Sequence, residues 1–124
     1  MVASPKTYID ASDISGAIAD LNSAANGITA YAGGGQANAV QLSKTFNRVT
    51  VVATAADSVK LPKAVAGASI VVFNKDSADS LNVFPSTGDA INALSANAAY
   101  ALASTKGAMF VCCVNGTWDT ILTA

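Results

Sequence analysis

The sequence predicts a mainly β protein: an antiparallel β-sandwich or barrel of about eight short strands, preceded by an extended N-terminal arm and one short amphipathic helix. Three observations predict it. From residue 28 onward, short apolar or alternating runs recur at roughly ten-residue spacing and are separated by turn residues. The apolar residues of 14–28 instead follow the three-four spacing of a helix face. The first ten residues show no apolar period at all. The expected organisation is therefore an arm over 1–10, a helix over 11–27 and a β-sandwich over 28–124.

In the arm, "MVASPKTYID", Pro5 disfavours helix at Ser4, and Tyr8-Ile9 forms an apolar pair suited to anchoring in a neighbouring subunit. Ser12 or Asp13 caps the helix, because a side-chain oxygen there accepts from the free amides of the first turn. Ile14, Ala17, Ile18, Leu21, Ala24, Ala25 and Ile28 share its apolar face, and Asn26-Gly27 is the expected stop. Ile14, Leu21 and Ile28 are spaced by seven, so the face reads either as a short oligomer seam or as a helix docked on its own domain. Tyr8, Ile9, Ile14, Ile18 and Leu21 are the expected partner-contact residues.

The strand runs follow. "ITAYA" and "AVQLS" flank the Gly-rich break "GGGQAN". "FNRVTVVAT" and "SVKLP" alternate, and Pro62 ends the second. "ASIVVFN" is more fully apolar and stops at the polar turn "KDSADS". "LNVFP" places Leu81, Val83 and Pro85 on one face, with Pro85, Gly88 and Asp89 at the following corner. "DAINALS" and "AAYALAS" supply Ile91, Leu94, Tyr100 and Leu102 to the core. "AMFVCCVNG" is a buried strand whose Asn115-Gly116 turn leads into "TWDTILT". No internal repeat is evident at this level.

Composition excludes several function classes. The chain has 124 residues, 52% of them hydrophobic, which suits a single domain with a real core. Alanine is frequent, so that core is thin unless a neighbouring subunit shares it. Lys and Arg total 7 and acids total 8, all of them Asp, for a net charge of −1. Seven scattered cations do not make a phosphate-binding surface, so no nucleic-acid partner is expected. The absence of His removes the commonest general base and metal ligand, and a Ser-His-Asp triad is impossible. "YAGGGQAN" lacks the Lys and Ser/Thr of a phosphate loop. Asp76 and Asp79 lack the spacing and bidentate Glu of a calcium loop. Cys112-Cys113 are expected as reduced, mostly buried thiols of a protein made in a reducing cytosol. There is neither a signal-peptide pattern nor an apolar run of bilayer length. No catalytic residues, metal, cofactor, membrane or small-molecule substrate are expected. A carbohydrate-binding module would need an exposed aromatic near a loop, and Trp118 or Tyr100 is the candidate.

The block from Gly35 to Trp118 also carries an ordered series of short motifs: Gln36-Ala39-Leu42, "NRVTVV", "SVKLP", "AGASIVVFN", "LNVFPSTGDAINAL", "ANAAYAL" and "GTW". In order and spacing these resemble a small β-rich domain of virion structural proteins from tailed bacteriophages. The resemblance covers some two-thirds of the chain and leaves out the N-terminal part. It implies a non-enzymatic capsid decoration (cement) protein on the outer surface of the head, made in the bacterial cytoplasm. The implied partners are the major capsid protein and neighbouring copies, as a homotrimer at local three-fold positions. A tail-fibre or baseplate module, or a receptor-binding appendage domain, is the alternative.

Overall fold

A computed structural model describes residues 23–33 and 35–123. Ten strands follow one another: β1 (Ala24–Thr29), β2 (Val40–Gln41), β3 (Phe46–Val51), β4 (Ser58–Lys60), β5 (Ser69–Asn74), β6 (Leu81–Phe84), β7 (Ala90–Ile91), β8 (Tyr100–Leu102), β9 (Gly107–Val114) and β10 (Thr117–Leu122). Among the described residues there is no helix.

Up to β9, successive strands do not pair with each other. They alternate between a six-stranded sheet, ordered β1-β3-β5-β9-β10-β7, and a four-stranded sheet, ordered β2-β4-β6-β8. β1, β3 and β5 are parallel neighbours, as are β2, β4 and β6. The chain is thus a β-solenoid of ~4 turns with largely parallel sheets. This corrects the expected antiparallel sandwich or barrel. The ten-residue strand spacing is real, but it marks half a coil rather than a hairpin. The crossover that parallel strands require is supplied here by the strand of the opposite sheet.

Paired residues in the parallel ladders β1-β3-β5 and β2-β4-β6 therefore lie 19 to 25 positions apart, close to the repeat lengths of solenoids. In the four-stranded sheet Val40 pairs with Val59, Val59 with Val83 and Val83 with Tyr100. The ladder continues past the strand ends, where Leu42 N donates to Lys60 O (2.9 Å) and Leu61 N to Phe84 O (2.8 Å). A repeat does exist: Val40-Gln41-Leu42-Ser43-Lys44 and Val59-Lys60-Leu61-Pro62-Lys63 occupy equivalent places on successive coils.

The core lies between the sheets. Val59, Leu61, Leu81, Val83 and Leu102 face Val49, Val72, Ile91, Phe110 and Trp118, all of them fully buried. The Tyr100 ring meets Phe110 edge-on with centroids 5.7 Å apart, joining the two sheets. The last coil departs from the parallel pattern. β9 runs antiparallel to β5, turns at Gly116 (φ 91°) and returns as β10, against which β7 forms the sheet edge. The Asn115-Gly116 hairpin was legible in the sequence.

Several local expectations are corrected. Ala24–Gly27, expected at the end of the helix, lie in β1, and Gly27 takes φ 74° within it. Leu94, expected in the core, is exposed. The alternation of β3 breaks after Thr50, so Val51 faces out while Val52 is buried. Cys112 is buried and its thiol donates to Val114 O, but Cys113 is exposed.

Leu61→Ala should destabilise the fold by about 2–5 kcal/mol, the usual range for emptying a packed leucine site. Lys60→Ala, one residue earlier and partly exposed, should cost far less. Urea unfolding of both variants checks this.

Candidate functional surface

Two kinds of feature stand out beyond the core: buried polar clips at the coil corners and an apolar row on one outer face. The clips form because each corner leaves backbone groups that no ladder satisfies, and a buried amide or carboxylate fills the gap. Asp57, wholly buried, accepts from Thr54 Oγ1 (2.8 Å), Gly33 N (3.1 Å) and Thr54 N (3.1 Å). Its own carbonyl accepts from Asn82 N (2.9 Å), so this residue ties three coils together. Asn74 donates to Asp79 O (2.9 Å) and Leu102 O (3.1 Å), and its oxygen accepts from Asp76 N (3.1 Å).

Asp89 accepts from Ala64 N and from Lys63 Nζ, both at 2.8 Å. It sits at the corner with Pro85 and Gly88, where the sequence placed it. Asn97 Oδ1 accepts there from Gly88 N (2.7 Å) and from Gln36 Nε2 (3.1 Å), which also reaches Pro85 O (2.8 Å).

These groups are structural by geometry: their oxygens are consumed by neighbouring amides. The Thr54 hydroxyl, with the Gly33 amide, holds the Asp57 carboxyl below the usual carboxylate range. Asp76 is lowered by the amides of Asp79 and Ala78, which its side chain accepts from at 2.8 and 3.0 Å. Asp76 therefore closes its own turn. Trp118 is fully buried within the core, which removes it as a glycan platform, and Tyr100 is engaged with Phe110.

The outer face of the six-stranded sheet differs. Strand register lines up Ala24, Phe46, Val71, Met109 and Ile121 across β1, β3, β5, β9 and β10. Phe46, Met109 and Ile121 are 39%, 40% and 66% exposed. Two shallow dents flank this row. One, about 370 Å³, is lined by Phe46, Gly67, Ala68, Ser69, Val71 and Met109. The other, about 220 Å³ and almost wholly apolar, includes Phe73, Gly107, Met109, Ile121 and Leu122. Phe73 leans over Gly107 so closely that a Cβ there would meet its ring.

Sequence reading missed this row, because its members come from five strands and only the register unites them. The expected contact residues Tyr8, Ile9, Ile14, Ile18 and Leu21 lie outside the described residues. Comparison with protein-family models, curated proteins and solved structures finds no match.

Two outcomes follow for the clips. The ordinary value for an aspartate carboxyl is 3.8, and the folded value of Asp57 is lower. Its stabilisation is thus complete above about pH 4 and is lost as pH falls through the lower folded value. Asp57→Asn should flatten that acid limb in melting temperatures followed from neutral pH to strong acid. Asp89→Ala leaves the Ala64 amide without its acceptor and should cost about 1–3 kcal/mol. Lys63→Ala should cost less than about 1 kcal/mol, because the lysine side chain is 63% exposed. Denaturant titration separates the two.

Proposed function

We propose that this protein is a virion structural protein of a tailed bacteriophage, a capsid decoration protein that binds the outside of the head and stabilises the shell. The observation that carries the reading is the exposed apolar row on a rigid solenoid whose polar groups serve its own corners. An exposed row of Phe, Met and Ile on one flat face is a protein-contact feature. The motif series over Gly35–Trp118 supplies the identity of the context.

The role is mechanical. Additional interface holds shell subunits together, and each copy need contribute only a few kcal/mol when many sites act at once. Residues 1–10, with the Tyr8-Ile9 pair, are proposed to touch the major capsid protein. The homotrimer is proposed from the resemblance; of the seam Ile14, Leu21 and Ile28, the first two lie outside the described residues and Ile28 lies in β1.

A tail-fibre or baseplate module is the second reading. It is favoured by the parallel coil stack, an architecture that suits elongated appendages. Image reconstruction of whole particles separates the two. Hundreds of copies on the head surface support decoration, whereas a few dozen at the tail support the alternative. Deleting residues 1–10 should strip the protein from heads while leaving the thermal unfolding of the solenoid unchanged. Full occupancy by the truncated protein contradicts the assigned role of the arm.

A further inference from the structure

The outer face of the six-stranded sheet can be laid out as a grid. Neighbouring strands are about 4.8 Å apart, and successive outward residues on one strand about 7 Å apart. The central line of the grid is Phe46, Val71, Met109 and Ile121, on β3, β5, β9 and β10. Two charges flank it. Arg48 follows Phe46 on β3, one grid step to one side, in register with Phe73 and Gly107. Asp119 precedes Ile121 on β10, one step to the other side, in register with Val111 and Ser69. Because β3 and β10 run in the same direction, the two charges occupy diagonally opposite corners. Both lie the same distance from the point between Val71 and Met109.

A face with this antisymmetric pattern is complementary to itself. We propose that it pairs two copies of this chain about a two-fold axis that lies in the interface and passes between Val71 and Met109. The rotation that sets Arg48 of one copy over the partner's Asp119 forms that ion pair twice, as an isologous contact requires. It also crosses the strands of the two sheets at near right angles, one of the two packings that sheets adopt.

The same rotation carries the apolar residues into the dents. Ile121 of one copy comes over the apolar dent at Phe73 and Gly107, and Phe46 over the dent at Ser69 and Gly67. Knobs and dents thus match without being adjusted. Arg48 is already oriented on the surface by its bond to Asn26 Oδ1 (2.8 Å), which leaves its remaining donors available. The net charge of −1 opposes the approach of two copies very little.

The area sets the strength. Five strands by three grid rows give on the order of 1,000 Å² for the pair, at the lower limit for a specific interface. The expected dimer is therefore of micromolar rather than nanomolar affinity.

Sedimentation velocity of the purified full chain, from low micromolar to millimolar concentration, tests this without any virion. Its failure is thus separate from failure of the decoration assignment. The dimer fraction should rise with concentration and fall with added salt. Arg48→Asp or Asp119→Arg alone should weaken association at least about tenfold, since each places like charges together twice. The double swap should restore it, and Met109→Lys should abolish it. Melting temperatures check that the variants fold. Asp119→Arg removes no hydrogen bond described within the chain, so it keeps the test valid if Arg48→Asp is unstable. A protein that stays monomeric throughout, or that associates undiminished by either single reversal, overturns the proposal. So does a double swap that fails to restore the dimer.

Discussion

The structure depends on backbone hydrogen bonding between successive coils. Each coil lays β-strand segments in register on the coil before it, and the side chains then have no choice of neighbour. Val59 is held between Val40 and Val83 because the ladder fixes it there. Inward residues of the two sheets consequently meet as two flat layers, and small side chains suffice to fill the space. The core is made of valine, leucine and single large residues such as Trp118 and Phe110, with four alanines, Ala30, Ala39, Ala64 and Ala108, buried among them.

Such stacking creates its own difficulty at the corners, where the ladder is interrupted. Polar side chains resolve it. Asp57 binds Gly33 and Thr54 and its carbonyl reaches Asn82. Asn74 joins the turn at Asp79 to β8. Asp89 gathers Lys63 and Ala64. The unused polar atoms among the described buried residues are few, Asn47 Oδ1 and Trp118 Nε1. These carboxylates and amides are therefore part of the frame, and the apolar row of the outer sheet face is the surface left over for other molecules.

Much of the local structure was legible in the sequence. β5, β6, β9, β10 and the Asn115-Gly116 turn follow from apolar runs and turn chemistry, which act over a few residues. Topology was not legible, because strands adjacent in the chain are assigned to opposite sheets. The signal that could have shown it is the recurrence of Val-x-Leu-x-Lys at 40–44 and 59–63. It is obscured because the next coil, at Val83-Phe84-Pro85, falls at a different interval and lacks the leucine. The helix expected through Gly27 gave way where Ala24–Thr29 pair with β3, because the hydrogen bonds offered by the sheet edge override the helix preference of the alanines. The row Phe46-Val71-Met109-Ile121 was invisible for the same reason as the topology: it exists only once register is known.

The account places a self-clipped solenoid beneath a contact surface, and everything said of that surface follows from strand register. Nuclear Overhauser contacts in the four-stranded sheet test this most directly. The account predicts cross-strand amide and α-proton contacts from Val59 to both Val40 and Val83, in the parallel pattern. Contacts from β4 to its sequence neighbours β3 or β5 in an antiparallel pattern would restore the hairpin sandwich and contradict it.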